Sequence, residues 1–505
     1  MGAKDRKGAP LPPPVWSDTF EAVNNNIICP QHDIAKMLEE NKITKEDCLI
    51  TNVYTPETNG ELLPVFVHFH GGAYAIGFGH ISQNENIVKS KKVITVTFNY
   101  RLGAHGFLCL GTKDVPGNAG MKDQVALLRW VKNNIAKFGG NPDEVTISGY
   151  NAGSSAVDLL TISKMAQGLF KRVITESGSN TAAFSVQTDP IKNAERYADL
   201  FKMDNLDNFY DLEFFYKNLS STEINSKSAL SRPDSTFLMS PCVERDVGQE
   251  RFLDDNPVNI LKSGKFEKVP MLYGFGETEG EFRILLLEFW EFWMNVRFLE
   301  FLPADLQFED KFEKRKIAEE IKRFYFGDKT IGKETMSEFV KYFTDVMFAY
   351  PTLRSVKLQV EAGNNQIYLY MISKSIYENP AILSKNATLV DQCSKTIGVL
   401  NDYWEETKEY HYDAEDLKPV REVILQVWLN FITSGEPIIP GSKIKWQPVG
   451  ANWSPHMYIG RTFKLKKSLL KKRALFWEKI YNKYYRFPSP PLAPPPKEGD
   501  AKENE

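Results

Sequence analysis

Val145-Thr146-Ile147-Ser148-Gly149-Tyr150-Asn151-Ala152-Gly153 is the stretch on which the fold turns. Three β-favouring residues, Val145 to Ile147, run into a G-x-x-x-G turn, and small residues then open a helix. This is the outline of a nucleophile elbow, the sharp strand-to-helix turn that holds a catalytic side chain clear of the end of a sheet. The motif G-x-S-x-G asks for serine at its centre, and here the centre is Asn151. A carboxamide is a poor nucleophile because its nitrogen lone pair is delocalised. Asn does tolerate the positive φ that such a turn imposes. The turn is kept and the reacting atom is gone.

Working outward, the same alternation of strand and helix recurs. Leu49 to Tyr54, Leu63 to Phe69 and Val93 to Asn99 read as strands before the elbow. Met121 to Phe138 reads as a helix, with Leu127, Leu128, Val131 and Ile135 at helical spacing and Gly139-Gly140 as its stop. After the elbow a helix is expected from Ser154, with further strands at Val173 to Thr175, Val269 to Tyr273 and Gln366 to Met371. Between them lie aromatic-rich helical stretches, notably Phe282 to Leu302. This pattern predicts an α/β fold with a mostly parallel central sheet flanked by helices. A basic helical run, Lys464 to Arg486, reads as a solvated helix face, and residues 486–505 as a Pro-rich, acidic, disordered tail.

The bulk numbers narrow the function classes. The chain has 505 residues, 42% hydrophobic and 25% charged, with a formal net charge of −3. That balance gives no electrostatic case for nucleic acid or an anionic membrane as partner. No run reaches the eighteen or so apolar residues of a transmembrane segment. Met1 to Pro14 is basic and proline-rich without an apolar core, so no signal peptide is read there. Five cysteines are too few for a disulfide scaffold.

Further segments carry a resemblance. They are Glu46-Asp47-Cys48-Leu49, His70-Gly71-Gly72, Asn99-Tyr100-Arg101-Leu102-Gly103 with Gly106-Phe107-Leu108, and Gly117-Asn118-Ala119-Gly120. Phe138-Gly139-Gly140-Asn141-Pro142, Gly168-Leu169-Phe170, Glu176-Ser177-Gly178-Ser179, Trp428 to Pro437 and Phe476-Trp477 follow in order. Together they resemble the type-B carboxylesterase/cholinesterase family, and the resemblance covers most of the chain. It implies an α/β-hydrolase domain over residues 12–485. The family normally has a few tens of residues, including a small hairpin, before the segment matching Pro12 to Trp16, so the N-terminal strands are expected to be truncated.

The resemblance also assigns the parts of an ester-cleaving site, which in this fold come in the order nucleophile, acid, histidine. Asn151 holds the nucleophile position. Gly274-Phe275-Gly276-Glu277-Thr278-Glu279-Gly280 resembles the family's G-x-x-x-x-E-G and makes Glu279 the retained acid, the alternative being a solvated loop carboxylate. Gln392 falls nearest the histidine position, in a window, Asn386 to Ser394, that holds no histidine. His411 further on reads as a surface residue. The oxyanion donors would be the backbone N–H groups of Gly71, Gly72 and Ala152. Ser154 and Ser155 are expected in the helix, pointing away from those donors. Losing serine or histidine alone costs on the order of 10⁶ in turnover, and losing both costs little more. Tyr150 also replaces the acidic residue the family carries before its nucleophile.

Cys29 and Cys48 match the family's first disulfide, while Cys109, Cys242 and Cys393 are expected unpaired. A bond between Cys29 and Cys48 implies an oxidising compartment, so the family resemblance points to an extracellular protein, with cytoplasmic the alternative. Asn218-Leu219-Ser220 and Asn386-Ala387-Thr388 are glycosylation candidates. No metal and no cofactor is implied. The vacated positions predict a non-catalytic pseudoenzyme that binds a protein partner or a lipophilic, ester-like small ligand. The aromatic stretch Phe282 to Phe308 would line the gorge in the second case or serve as ordinary core. An active ester hydrolase with an atypical constellation is the alternative. Oligomeric state is not legible.

Overall fold

Short runs rich in Val, Ile, Phe and Tyr satisfy their backbone by pairing side by side, and they build one nine-stranded sheet. Its strands are β1 Thr51–Tyr54, β2 Leu63–Phe69, β3 Ile94–Phe98, β4 Gly140–Tyr150, β5 Arg172–Glu176, β6 Met271–Gly276, β7 Ile367–Ile372, β8 His456–Ile459 and β9 Phe463–Lys466. Their order across the sheet is β9-β8-β7-β6-β5-β4-β2-β3-β1. The pairs β1/β3 and β8/β9 at the two edges are antiparallel, and the strands between them run parallel. This computed structural model describes residues 8–373 and 418–495, apart from 13, 15, 33–40, 58–59, 82–83, 203–207 and 228–231.

Successive side chains of a strand face opposite ways, so a strand apolar throughout needs cover on both sides. Val65, Val67 and Phe69 of β2 join a core with Ile147, Val173, Met271 and Tyr273. Phe66 joins a second core with Ile174, Leu272, Tyr370 and Met457. The first core is closed by helices α1 (Ala119–Asn134), α2 (Ala152–Ile162), α3 (Leu287–Val296) and α4 (Tyr350–Glu361). The second is closed by α5 (Lys418–Ser434), whose Ile424, Val427, Trp428 and Phe431 are buried. Helix α6 (Lys471–Tyr484) turns Ala474, Trp477, Ile480 and Tyr481 inward. The architecture is the α/β layering the alternation predicted.

Several details differ from the sequence reading. The helix expected to Phe138 ends at Asn134 and continues as a 3-10 turn, Ile135–Phe138. The basic run is not one helix: Phe463–Lys466 is a strand, and the helix opens only at Lys471. The stretch from Phe282 to Leu302 is broken into a 3-10 helix, Glu279–Leu286, then α3, then a 3-10 turn, Phe298–Phe301. Residues 486–495 lie against the body. Arg486 N–H donates to Asp305 O at 2.8 Å, and the Tyr210 hydroxyl donates to Pro495 O.

The cysteine reading needs one correction. Cys29–Cys48 is a disulfide, and so is Cys109–Cys242, with a Cα–Cα distance of 6.6 Å. The two halves of the second bond are 133 residues apart. What joins them is Asn118, whose Nδ2 donates to Cys242 O at 2.8 Å while Cys242 N–H donates to its Oδ1 at 2.9 Å. Cys393 lies outside the described residues.

Candidate functional site

The ends of three neighbouring strands assemble the site, at the carboxyl edge where parallel sheets present their loops. β4 and β5 are in register with Tyr150 beside Glu176, and Asn151 N–H donates to Glu176 O at 2.9 Å. One strand further, Ser177 N–H donates to Gly274 O of β6 at 2.9 Å. Asn151, Ser177 and Glu279 therefore leave the sheet side by side.

Asn151 stands at the tip of the β4–α2 turn with φ 53° and ψ −116°. Its Oδ1 accepts a hydrogen bond from the Ala152 N–H at 2.8 Å. The side chain is thus an N-cap for α2, meeting one of the unpaired donors that every helix start presents. The turn fits only because its flanks are glycine. A Cβ on Gly149 would sit 2.3 Å from Gly153 carbonyl atoms, and one on Gly153 would sit 2.1 Å from Phe69 O.

The loop after β2 faces this tip. A Cβ on Gly71 would meet Tyr150 O at 2.8 Å, and one on Gly72, at φ +102°, would meet Ile76 O at 2.0 Å. The N–H groups of Gly71 and Gly72 have no acceptor among the described residues, whereas that of Ala152 is taken by Asn151. Ala73 and Tyr74 continue the loop at φ 56° and 59°, a strain that persists only where surrounding packing enforces it. His70 is buried and stacked on Tyr100 with ring centroids 4.3 Å apart. Its Nδ1 bonds to Gly71 O at 2.9 Å. Burial lowers its pKa to about 4, so the ring is neutral at pH 7.

Glu279 is 6% exposed, which removes the reading of a solvated carboxylate. Its Oε1 accepts from the Ser177 hydroxyl at 2.6 Å and from Gly276 N–H at 2.7 Å. Beside it lies Glu176, also buried, whose pKa is pushed well up by burial and then by the charge of Glu279. Sequence reasoning quoted Glu176 and Ser177 only as part of a motif. Their role in holding Glu279 depends on the β5–β6 register, which no local pattern states.

The other described histidines lie elsewhere. His68 is inside the sheet, His80 contacts Asn25, and His456 Nδ1 bonds to Lys467 O on β8. Among the described residues no histidine hydrogen-bonds Glu279 or Asn151. Gln392, Asn386 and His411 lie outside the described residues. Ser154 donates to Gly178 O at 2.8 Å, and Ser155 accepts from Ser185 at 2.8 Å, so both hydroxyls are engaged inside the body. Asn218 is exposed at the end of a helix, Phe209–Asn218, and Ser220 of its sequon forms a capping box with Glu223.

A strand-to-helix elbow facing a glycine loop, with a buried acid beside it, is matched by a family model described as the carboxylesterase family over residues 3–477. The chain belongs to the carboxylesterase family. Within that family it is 32% identical over 432 residues to Esterase FE4 of Myzus persicae, covering 81% of this chain and 74% of the relative. It is 34% identical over 389 residues to the Juvenile hormone esterase of Heliothis virescens, covering 72% and 66%. A similar solved carboxylesterase is Juvenile Hormone Esterase from Manduca sexta, with OTFP covalently attached, at TM-score 0.77 and 24% identity. That alignment covers 95% of this chain and 92% of the other, and establishes the α/β-hydrolase fold. No described helix of this carboxylesterase-family chain is long and apolar enough to cross a membrane.

Proposed function

We propose that this carboxylesterase-family protein is a non-catalytic binding protein built on an esterase frame. The observation that carries the reading is Asn151. It stands at the tip where the family chemistry needs a hydroxyl, and its Oδ1 takes the Ala152 N–H. A developing oxyanion would find that donor already occupied, and an occupied donor contributes nothing to a transition state. The absence of histidine from the window around Gln392 points the same way, since no imidazole stands there to act as the base. Glu279, kept and buried, then acts as a structural acceptor for Ser177 and Gly276.

Both binding modes stand: the pocket lined by Ala73, Ala75, Phe237, Leu238 and Met239 has ≈ 20 Å³ of space, enough for about one water, whereas the one lined by Ala183, Phe237, Leu302, Leu306 and Phe308 has ≈ 380 Å³. The disulfides support an extracellular site of action, and exposed Asn218 supports glycosylation there.

Hydrolysis of a p-nitrophenyl ester tests the reading, with wild type, Asn151→Ala, Asn151→Ser, and Asn151→Ser combined with Gln392→His. Wild type is expected to match the protein-free rate, and the double variant to exceed both singles. Turnover by wild type that disappears in Asn151→Ala would refute the reading in favour of an active hydrolase with an atypical constellation.

A further inference from the structure

Asn118, Asn151 and Asn193 are each followed by alanine, so local sequence treats them alike and the fold sets them apart. Asn118 and Asn151 also both open a helix with positive φ, 58° and 53°. They differ in ψ, 27° against −116°. In an L-residue a ψ of −116° eclipses Cβ with the next backbone nitrogen across the Cα–C bond. At 27° that nitrogen is turned to the opposite side from Cβ. At Asn151 the side chain completes the fold-back, with Oδ1 2.8 Å from Ala152 N. An N-cap ordinarily reaches further along the chain, as Asn208 does to Tyr210 and Asp211 and Asn256 does to Asn259. Asn118 Oδ1 accepts from Cys242 N–H instead, and Asn193 lies within the helix Pro190–Asp199.

Cα, Cβ, Cγ and the carbonyl carbon of Asn151, closed by Ala152 N, are the ring atoms of a succinimide. The turn has already brought Cβ and Ala152 N into the plane that ring closure needs. We infer that Asn151 is a self-modifying residue, which the folded elbow converts to aspartate and isoaspartate through that imide. Ala152 N attacks Cγ while its proton passes to the departing Nδ2. The N–Cγ bond forms, the Cγ–Nδ2 bond breaks and ammonia leaves. Water then opens the ring: cleavage of the new N–Cγ bond leaves aspartate, and cleavage of the original peptide C–N bond leaves isoaspartate. Asn151 is half-buried at the tip, so water reaches it. Ala152 N–H is the first donor of α2, and no carbonyl of the helix holds it. The positive end of the helix favours the charge that builds as this amide loses its proton, and afterwards the carboxylate of the product. An unfolded chain seldom visits this region of φ and ψ, so folding, which protects most amides, exposes this one. The inference concerns the turn alone and holds whether or not the frame is catalytic.

Peptide mapping of the full wild-type chain tests this, after incubation at neutral pH either folded or in urea. Heavy-oxygen water labels whatever converts during the incubation. Asn151 is expected to lose its amide at least about tenfold faster folded than in urea, because the fold supplies the alignment. Asn118 and Asn193 of the same folded molecules are expected to keep theirs. Hydroxylamine, which opens imides, should cut the folded chain between Asn151 and Ala152. Asn151→Gln, whose longer side chain would have to close a larger ring, should keep its amide. An Asn151 that keeps its amide when folded, or converts no faster than in urea or than Asn118, would overturn the proposal. Conversion that yields neither isoaspartate nor the hydroxylamine cut, or that proceeds equally in Asn151→Gln, would overturn it in favour of direct hydrolysis by a neighbouring group.

Discussion

Asn151 serves the turn on which it stands and, on the proposed reading, empties a site at once. At φ 53° and ψ −116° its backbone lies where glycine alone is comfortable, and such strain costs on the order of 1–3 kcal/mol. The cap on Ala152 N–H offsets about 1 kcal/mol of it. Asn151→Gly should therefore melt at or above the wild-type temperature, and Asn151→Ala below it by the equivalent of about 1–2 kcal/mol. Differential scanning calorimetry of both variants checks the order. A wild type more stable than Asn151→Gly would mean that the cap outweighs the strain. The identity of this residue is legible in the sequence because the flanking glycines fix its place. The occupation of the Ala152 donor is not, since it depends on the torsion that turns Oδ1 back onto the chain. Glu279 is legible in the same way, and its burial and its two donors are not.

At the scale of elements, α2 is held to the sheet by contacts that admit no spare atom. With a Cβ at Gly153 only 2.1 Å from Phe69 O, Gly153→Ala should cost at least about 2 kcal/mol or abolish soluble expression, as read by urea titration. Asp158 of α2 ties the neighbouring elements together. It accepts from Asn180 N–H at 2.7 Å and Ser355 at 3.2 Å, and from the Tyr273 hydroxyl of β6. Burial raises its pKa from 3.8 to about 6, against the lowering effect of those hydrogen bonds. A pKa raised on folding means that the folded state holds the proton more tightly. The contribution is full below 3.8 and is lost as pH rises through 6. Relative to Asp158→Asn, wild type should gain about 1.4 kcal/mol per pH unit on acidification from 6 towards 4. Urea midpoints of both proteins at pH 7, 6 and 5 measure it, and a constant difference would show that Asp158 keeps an ordinary carboxyl pKa. The strands around α2 were legible because runs such as Val65 to Phe69 are apolar throughout. The region from Phe282 to Leu302 was not, because aromatic residues facing the core and facing solvent alternate there without any change of composition.

For the whole molecule, the long-range links are what local pattern cannot state. The Cys109–Cys242 bond joins chain segments 133 residues apart, and a Cβ added at Gly117 would sit 2.6 Å from the Cys242 sulfur and 2.7 Å from that of Cys109. On the loop-entropy estimate such a bond contributes about 5 kcal/mol, against about 3 kcal/mol for the shorter Cys29–Cys48 loop. Cys109→Ser/Cys242→Ser should therefore lower the thermal midpoint more than Cys29→Ser/Cys48→Ser, and the opposite order would show that strain outweighs loop length. The carboxamide at the β4–α2 tip has a consequence at this scale too. Fluorophosphonate reagents that survey serine hydrolases in cell extracts mark proteins through an activated serine hydroxyl, which in this fold stands at that tip. Ser154 and Ser155 are already spent on Gly178 and Ser185. On the non-catalytic reading proposed above, this protein stays dark in such a survey however abundant it is, and its tissue distribution is read by antibody or by mass spectrometry.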